Sequence, residues 1–163
     1  LGYALDQAYE GQAFMTEALR CAIGEMFAPH INLHRIQAGF QPENWRSAEL
    51  EKAPLNGRVG HTLVSETDAV RVWVISLKPG ERLPYHCHVL NYFWTATSEG
   101  ATRSHYSDGT TAESSVRTGD TRHYRFAAGE RMIHDLENIG ATPVSYVTVE
   151  LKIGSANAPL ALA

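Results

Sequence analysis

The chain has 163 residues, enough to bury a core as one domain, or as one domain with a small extension. Its formal net charge is −4, with 20% charged and 44% hydrophobic residues and no dense basic run, so nucleic acid is not the implied partner. No apolar stretch approaches the roughly 18 residues a membrane helix needs, and the first residues lack the charge, apolar run and cleavage site of a signal peptide. The two cysteines, Cys21 and Cys87, are too few for a disulfide framework, which fits a reducing, cytoplasmic setting. Leu1 already lies inside a strand-like pattern, which points to a fragment or a gene fusion.

The first third reads as helical. "LGYALD" is a short apolar strand pattern, and "QAYEGQAF" is a glycine-containing turn. "MTEALRCAIGEMF" follows, with Met15, Leu19, Ala22, Ile23 and Met26 on one stripe of a 3.6-residue period. Gly24 weakens this helix by about 1 kcal/mol against alanine, and Pro29 ends it. "LHRIQAGF" reads as a strand, and "QPENWRSAEL" opens a second helix with Asn44 as its N-cap.

From about Lys52 the pattern changes to short β-rich runs separated by turns. The runs are "RVGHTLVS", "AVRVWVISL", "HVLNYFWTAT", "ATRSHYS", "TAESSVRT", "RHYRFAA", "MIHDLENIG" and "PVSYVTVELKI". Such spacing predicts a mainly β sandwich or closed barrel, with "SDGT" as a hairpin turn. The divisions are an N-terminal segment over 1–50, a barrel over 55–153 and a mobile tail over 154–163, with the boundary near 51–60.

Within "PGERLPYHCHVLNYFW", His86 and His88 are two residues apart on a strand. They therefore share a face, with Cys87 on the other. Two convergent imidazoles suit Fe, Mn, Ni, Cu or Zn. His134 is the third candidate ligand, and His105 and His123 also fall in strand segments.

"GERLPYHCH…EG" resembles the first cupin motif, G-x5-H-x-H-x3,4-E-x6-G, with Gly80, His86, His88 and Gly100 in place. Phe93 stands where the motif has its ligand glutamate. "GDTRHYRFAAGERMIHDLEN" resembles the second motif, with Gly119, Gly129, His134 and Asn138 matching and Ala127 replacing the proline. The resemblance spans 57–153 and implies a cupin double-stranded β-helix, or jelly roll, with a metal at His86, His88 and His134. It is nearest to small single-domain cupins, some linked to β-alanine degradation. Asn91 and Tyr92 are the nearby residues that offer a neutral oxygen, and "NYFW" otherwise walls the pocket with aromatics.

The N-terminal stretch is similar to the central segment of GNAT N-acetyltransferases that modify ribosomal-protein N-termini. That resemblance implies an acetyl-CoA cradle in which loop and helix N–H groups face the pyrophosphate. Gly11, Gln12, Ala13, Phe14 and Met15 would supply it, with Asn44 beside the cofactor. Ala8 departs from the family's Gln/Arg, and Glu10 puts a negative charge at the anion site. The expectation is therefore a β-α-β piece with weak or no acetyl-CoA binding. Its apolar stripe would pack on the barrel or on a second copy of the chain.

Three functions follow as expectations. The first is a cupin barrel with a divalent metal acting on a small polar molecule, as a metal-dependent oxygenase or isomerase. The second is an acetyl-CoA-dependent acyltransferase, and the third is a metal-free small-molecule binder.

Overall fold

The computed structural model describes residues 45–162. The expected elements before Trp45 lie outside the described residues, as do Asn44 and the acetyl-CoA residues Gly11, Gln12, Ala13, Phe14 and Met15. The first described element is helix α1 (Trp45–Lys52), which runs into a 3-10 turn, Ala53–Leu55. Pro54 sits in the first turn of that segment, where a missing N–H costs nothing.

Nine strands follow: β1 (Thr62–Glu66), β2 (Val70–Leu77), β3 (Arg82–His88), β4 (Asn91–Ala96), β5 (Gly100–His105), β6 (Thr111–Val116), β7 (Thr121–Tyr124), β8 (Met132–Asn138) and β9 (Val144–Leu151). They form two antiparallel sheets, ordered β1-β2-β9-β4-β7 and β3-β8-β5-β6. The expected run "HVLNYFWTAT" is divided: His88 closes β3, and Asn91 opens β4. The "SDGT" hairpin joins β5 to β6, with Tyr106 N–H donating to the Thr110 carbonyl at 2.9 Å and Gly109 at φ 86°.

Alternation along the strands sorts side chains between two faces. Ile75, Leu77, Leu83, Ala96, Val116, Val144 and Tyr146 point between the sheets and form the main core. A second cluster, Ala53, Tyr85, Cys87 and Ile133, lies on the other face of β3 and β8. Leu50 of α1 and Leu160 pack against it, so Cys87 faces away from the barrel interior, as the alternation requires. Glu49 of α1 also pairs with Arg82.

The C-terminal residues are not the free tail that their composition suggests. The Leu160 carbonyl accepts from Arg71 Nη1 at 3.0 Å. Asn157 Nδ2 donates to the carbonyls of Val89 and Ala127 at 3.0 and 2.9 Å. Gly57 leaves the space: a Cβ there would lie 2.8 Å from that of Leu160. Small residues in "GSANAPLALA" permit close backbone approach, and a single asparagine supplies the anchoring amide.

Asn138 joins the two sheets. It is fully buried, and its Nδ2 donates to the Leu77 carbonyl at 2.9 Å and to the Thr142 carbonyl at 2.8 Å. Its Oδ1 accepts from Gly140 N–H at 2.9 Å. Its backbone carbonyl accepts from Gly80 N–H at 2.9 Å, fixing the turn that leads β2 into β3; Gly80 adopts φ 75° there. Asn138→Ala would remove the partner of the buried Leu77 carbonyl, of the Thr142 carbonyl and of the Gly140 N–H. It is expected to lower unfolding free energy by about 2–4 kcal/mol, measured by denaturant titration against wild type.

Candidate metal centre

Pro84 sets the site's geometry. Leu83 pairs with Leu136 and His86 with His134, so Pro84 and Tyr85 together oppose Asp135 alone. This is a β-bulge, the place in a strand where a proline without an N–H does least harm. The extra residue rephases β3, so Leu83, His86 and His88 all face the interior. The Pro84 carbonyl then lies 2.8 Å from His86 Nδ1 and accepts its proton. His134 Nδ1 likewise donates to the Asp135 carbonyl at 2.8 Å. In both rings the proton is held on Nδ1, and the Nε2 lone pair is left pointing inward.

His86, His88 and His134 each offer one ligand atom, and these lie within 4.8 Å of one another. His86 and His88 are buried, with their Nε2 atoms 3.1 Å apart. Because His86 keeps its proton on Nδ1, His88 Nε2–H is the donor across that contact. His88 Nδ1 and His134 Nε2 are closed from solvent and have no hydrogen-bond partner. Buried polar atoms without a partner are uncommon and costly, and two within one cluster fit a site built for an ion.

Burial also fixes charge. It pushes the His86 imidazole down to about 4, with the Pro84 hydrogen bond only partly opposing. It pushes His134 down to about 3, with His86 adding to the effect. His88 falls well below the usual histidine value through burial and its two imidazole neighbours. All three rings are thus neutral at pH 7, the form that binds metal.

Tyr92, rather than Phe93, occupies the inward position on β4. Its ring stacks on His88 with centroids 4.1 Å apart and on Tyr124 at 4.6 Å. Phe93 points the other way and meets His123 of β7 at 5.3 Å. The motif's x3,4 spacing admits either residue as the counterpart of the glutamate, and strand parity selects Tyr92. Asn91 also faces away: its Oδ1 accepts from Phe126 N–H at 2.9 Å and its Nδ2 donates to the Gly154 carbonyl at 3.0 Å. Of the expected pocket residues Asn91, Tyr92 and Phe93, the structure therefore brings only Tyr92 to the histidines. His105 is also excluded, since its Nδ1 is held by Asp135 at 3.0 Å on the outer face of β5 and β8.

A cavity of about 130 Å³ adjoins the three imidazoles. Tyr92, Trp94, Tyr106, Tyr124 and Tyr146 wall it, and Thr102, Ser104 and Thr148 add hydroxyls. Tyr106 stacks on His134 at 5.6 Å. Nothing in the motifs points to Tyr106, Tyr124 or Arg122. Pairing of β7 with β4, once known, places Tyr124 beside Tyr92 and Arg122 beside Trp94, on the same inward face.

The barrel superposes on a cupin domain from Bordetella pertussis Tohama I with a TM-score of 0.50 and 21% identity, covering 56% of this chain and 90% of that one. The fold is the cupin double-stranded β-helix. A double-stranded β-helix protein from Klebsiella pneumoniae is a weaker likeness, with a TM-score of 0.45 and 24% identity over 63% of this chain and 77% of that one. Residues 1–53 match the acetyltransferase (GNAT) domain. Over 54 residues the chain is 46% identical to the probable N-acetyltransferase YjcK of Bacillus subtilis. That stretch is 32% of this chain and 29% of YjcK, so the match spans under a third of the curated relative. The chain thus carries an N-terminal segment similar to the GNAT domain and a domain of cupin fold with a three-histidine cluster.

The neutral imidazoles make stability depend on pH. Their folded values lie below the ordinary value of 6.5, so the unfolded chain binds protons that the folded one refuses. Stability from this source is complete above about pH 6.5 and falls as pH drops toward 4 and 3. In metal-free protein each ring contributes a slope of up to about 1.4 kcal/mol per pH unit in that window. His86→Gln is expected to make the slope between pH 6.5 and 5 shallower, as read by urea unfolding at each pH.

Proposed function

We propose that the barrel holds a divalent metal ion, Fe, Mn, Ni, Cu or Zn, at His86, His88 and His134 and acts on a small polar molecule in the adjoining cavity. The observation that carries this reading is the pair of sealed, unpartnered nitrogens within a cluster of three neutral imidazoles. A bound divalent ion would supply Lewis acidity next to the cavity. The chain's own part is to hold the His86 and His134 protons on Nδ1, to keep water from the rings with Tyr92 and Tyr106, and to present hydroxyls from Thr102 and Ser104. Proteins with this architecture include enzymes and simple binders, so the reaction is assigned by the site and not by the fold.

Metal-reconstituted protein is expected to retain about one ion per chain, and His86→Ala to lose it, by elemental analysis after desalting. Tyr92→Glu places a carboxylate on the inward position of β4. It is expected to tighten binding or change metal preference, whereas Phe93→Glu, on the outward face, leaves both unchanged. An equal effect from the two substitutions would contradict the assignment of Tyr92, and a site that stays empty with all five metals would leave a metal-free binder as the better reading.

A second reading concerns the N-terminal segment and is favoured by its acetyltransferase match over residues 1–53. In it, Gly11, Gln12, Ala13, Phe14, Met15 and Asn44 hold acetyl-CoA. Calorimetry of the whole chain tests it: micromolar binding abolished by Gly11→Asp supports a cofactor site, and absence of heat argues against one.

A further inference from the structure

Apart from the neutral imidazoles, two residues at the cavity carry a formal charge at neutral pH, Glu113 and Arg122. They differ in what neutralises them. Glu113 Oε1 accepts from Arg103 Nε at 3.0 Å and Nη2 at 2.7 Å, so its charge is already answered. Arg122 has no carboxylate within ion-pair distance among the described residues; its guanidinium lies over the Trp94 ring, 5.8 Å from the centroid. A guanidinium held by a ring's face through its charge keeps its N–H groups free to bond.

Position adds to this. Arg122 is opposite Trp94 in the β4–β7 register, and Tyr124 is opposite Tyr92, so both β7 residues face the cavity from the sheet's edge. Exposed Arg122 on β7 and exposed Glu113 on β6 lie on the edge strands of the two sheets, which places the opening on that side. Tyr106, which also lines the cavity, stacks on His134. Arg122 is thus a cation on the inward face of a strand, at the opening of a cavity whose other charged residue, Glu113, is already paired.

We infer that the cavity takes a small monocarboxylate, whose carboxylate pairs with the Arg122 guanidinium while the rest of the molecule lies toward the histidines. The inference rests on the reading of this cavity as the ligand site. The guanidinium fork matches the two oxygens of one carboxylate, and a single cation without an ion-pair partner among the described residues matches a single negative charge. Among the side chains that line the cavity, no second cation stands beside Arg122 for a phosphate dianion. The cavity volume of about 130 Å³ limits the ligand to a few carbon atoms.

The test uses propionate and propionamide, which share size and shape and differ in charge. Their binding is measured by ligand-observed NMR on the full chain, both metal-free and loaded with Zn2+. Wild type is expected to prefer propionate by about tenfold or more. Arg122→Gln should abolish the preference, and Arg122→Lys, which keeps the charge without the fork, should retain part of it. Equal binding of the two probes, or a preference untouched by Arg122→Gln, would overturn the inference, as would inorganic phosphate displacing propionate with higher affinity. The zinc arm separates this from the metal reading. Zinc retention without an Arg122-dependent preference sinks the carboxylate alone, and an Arg122-dependent preference in protein that never retains zinc supports the carboxylate while ruling out zinc as the ion.

Discussion

Three imidazoles that give up their water must be neutral, and each inward nitrogen must then find a partner. That constraint organises the barrel. The neutral state is set by burial, and the tautomer of two rings is set by two carbonyls, those of Pro84 and Asp135. Both carbonyls depend on one irregularity, the bulge at Pro84 and Tyr85. Without the extra residue, His86 and His88 would exchange faces with Tyr85 and Cys87, and the second hydrophobic cluster would lose its members while the interior lost its ligands. The sheet-joining asparagine and the turn at Gly80 hold the entrance to this strand in place.

The rest of the interior follows from which residues the paired strands aim inward. On β4 and β7 the inward set is Tyr92, Trp94, Tyr124 and Arg122, and on the opposite sheet it includes Ser104 and Met132. Aromatic rings against imidazoles exclude water and lower the local dielectric, which strengthens any electrostatic contact made inside. Where a glutamate would have brought negative charge to the histidines, Tyr92 brings a stacked ring. The candidate ligands are therefore neutral, and Tyr92 brings no negative charge to offset an ion held by them.

Much of this was legible in the sequence, and the failures have physical causes. H-x-H spacing implied a shared face because strand parity is strict, and His134 was found from motif spacing despite lying 46 residues beyond His88 in the numbering. The fold class followed from short runs between turn residues. Parity on β4 was missed because a motif with a variable gap does not say where the strand begins, and one residue of error exchanges Tyr92 for Phe93. Arg122 and Tyr106 had no local signal at all, since their position depends on which strands become neighbours. The C-terminal residues looked mobile because most of them are small, whereas their placement comes from tertiary contacts such as those of Asn157 and Leu160.

The central claim concerns protons and lone pairs, and nitrogen NMR of histidine side chains reads both directly. In ¹⁵N-histidine-labelled, metal-free protein at pH 7, His86 and His134 should be neutral with the proton on Nδ1. Added Zn2+ should then shift Nε2 of both rings, together with one nitrogen of His88, to values typical of metal-bound imidazole. Charged rings, protons on Nε2 of His86 and His134, or spectra unmoved by zinc would contradict the account.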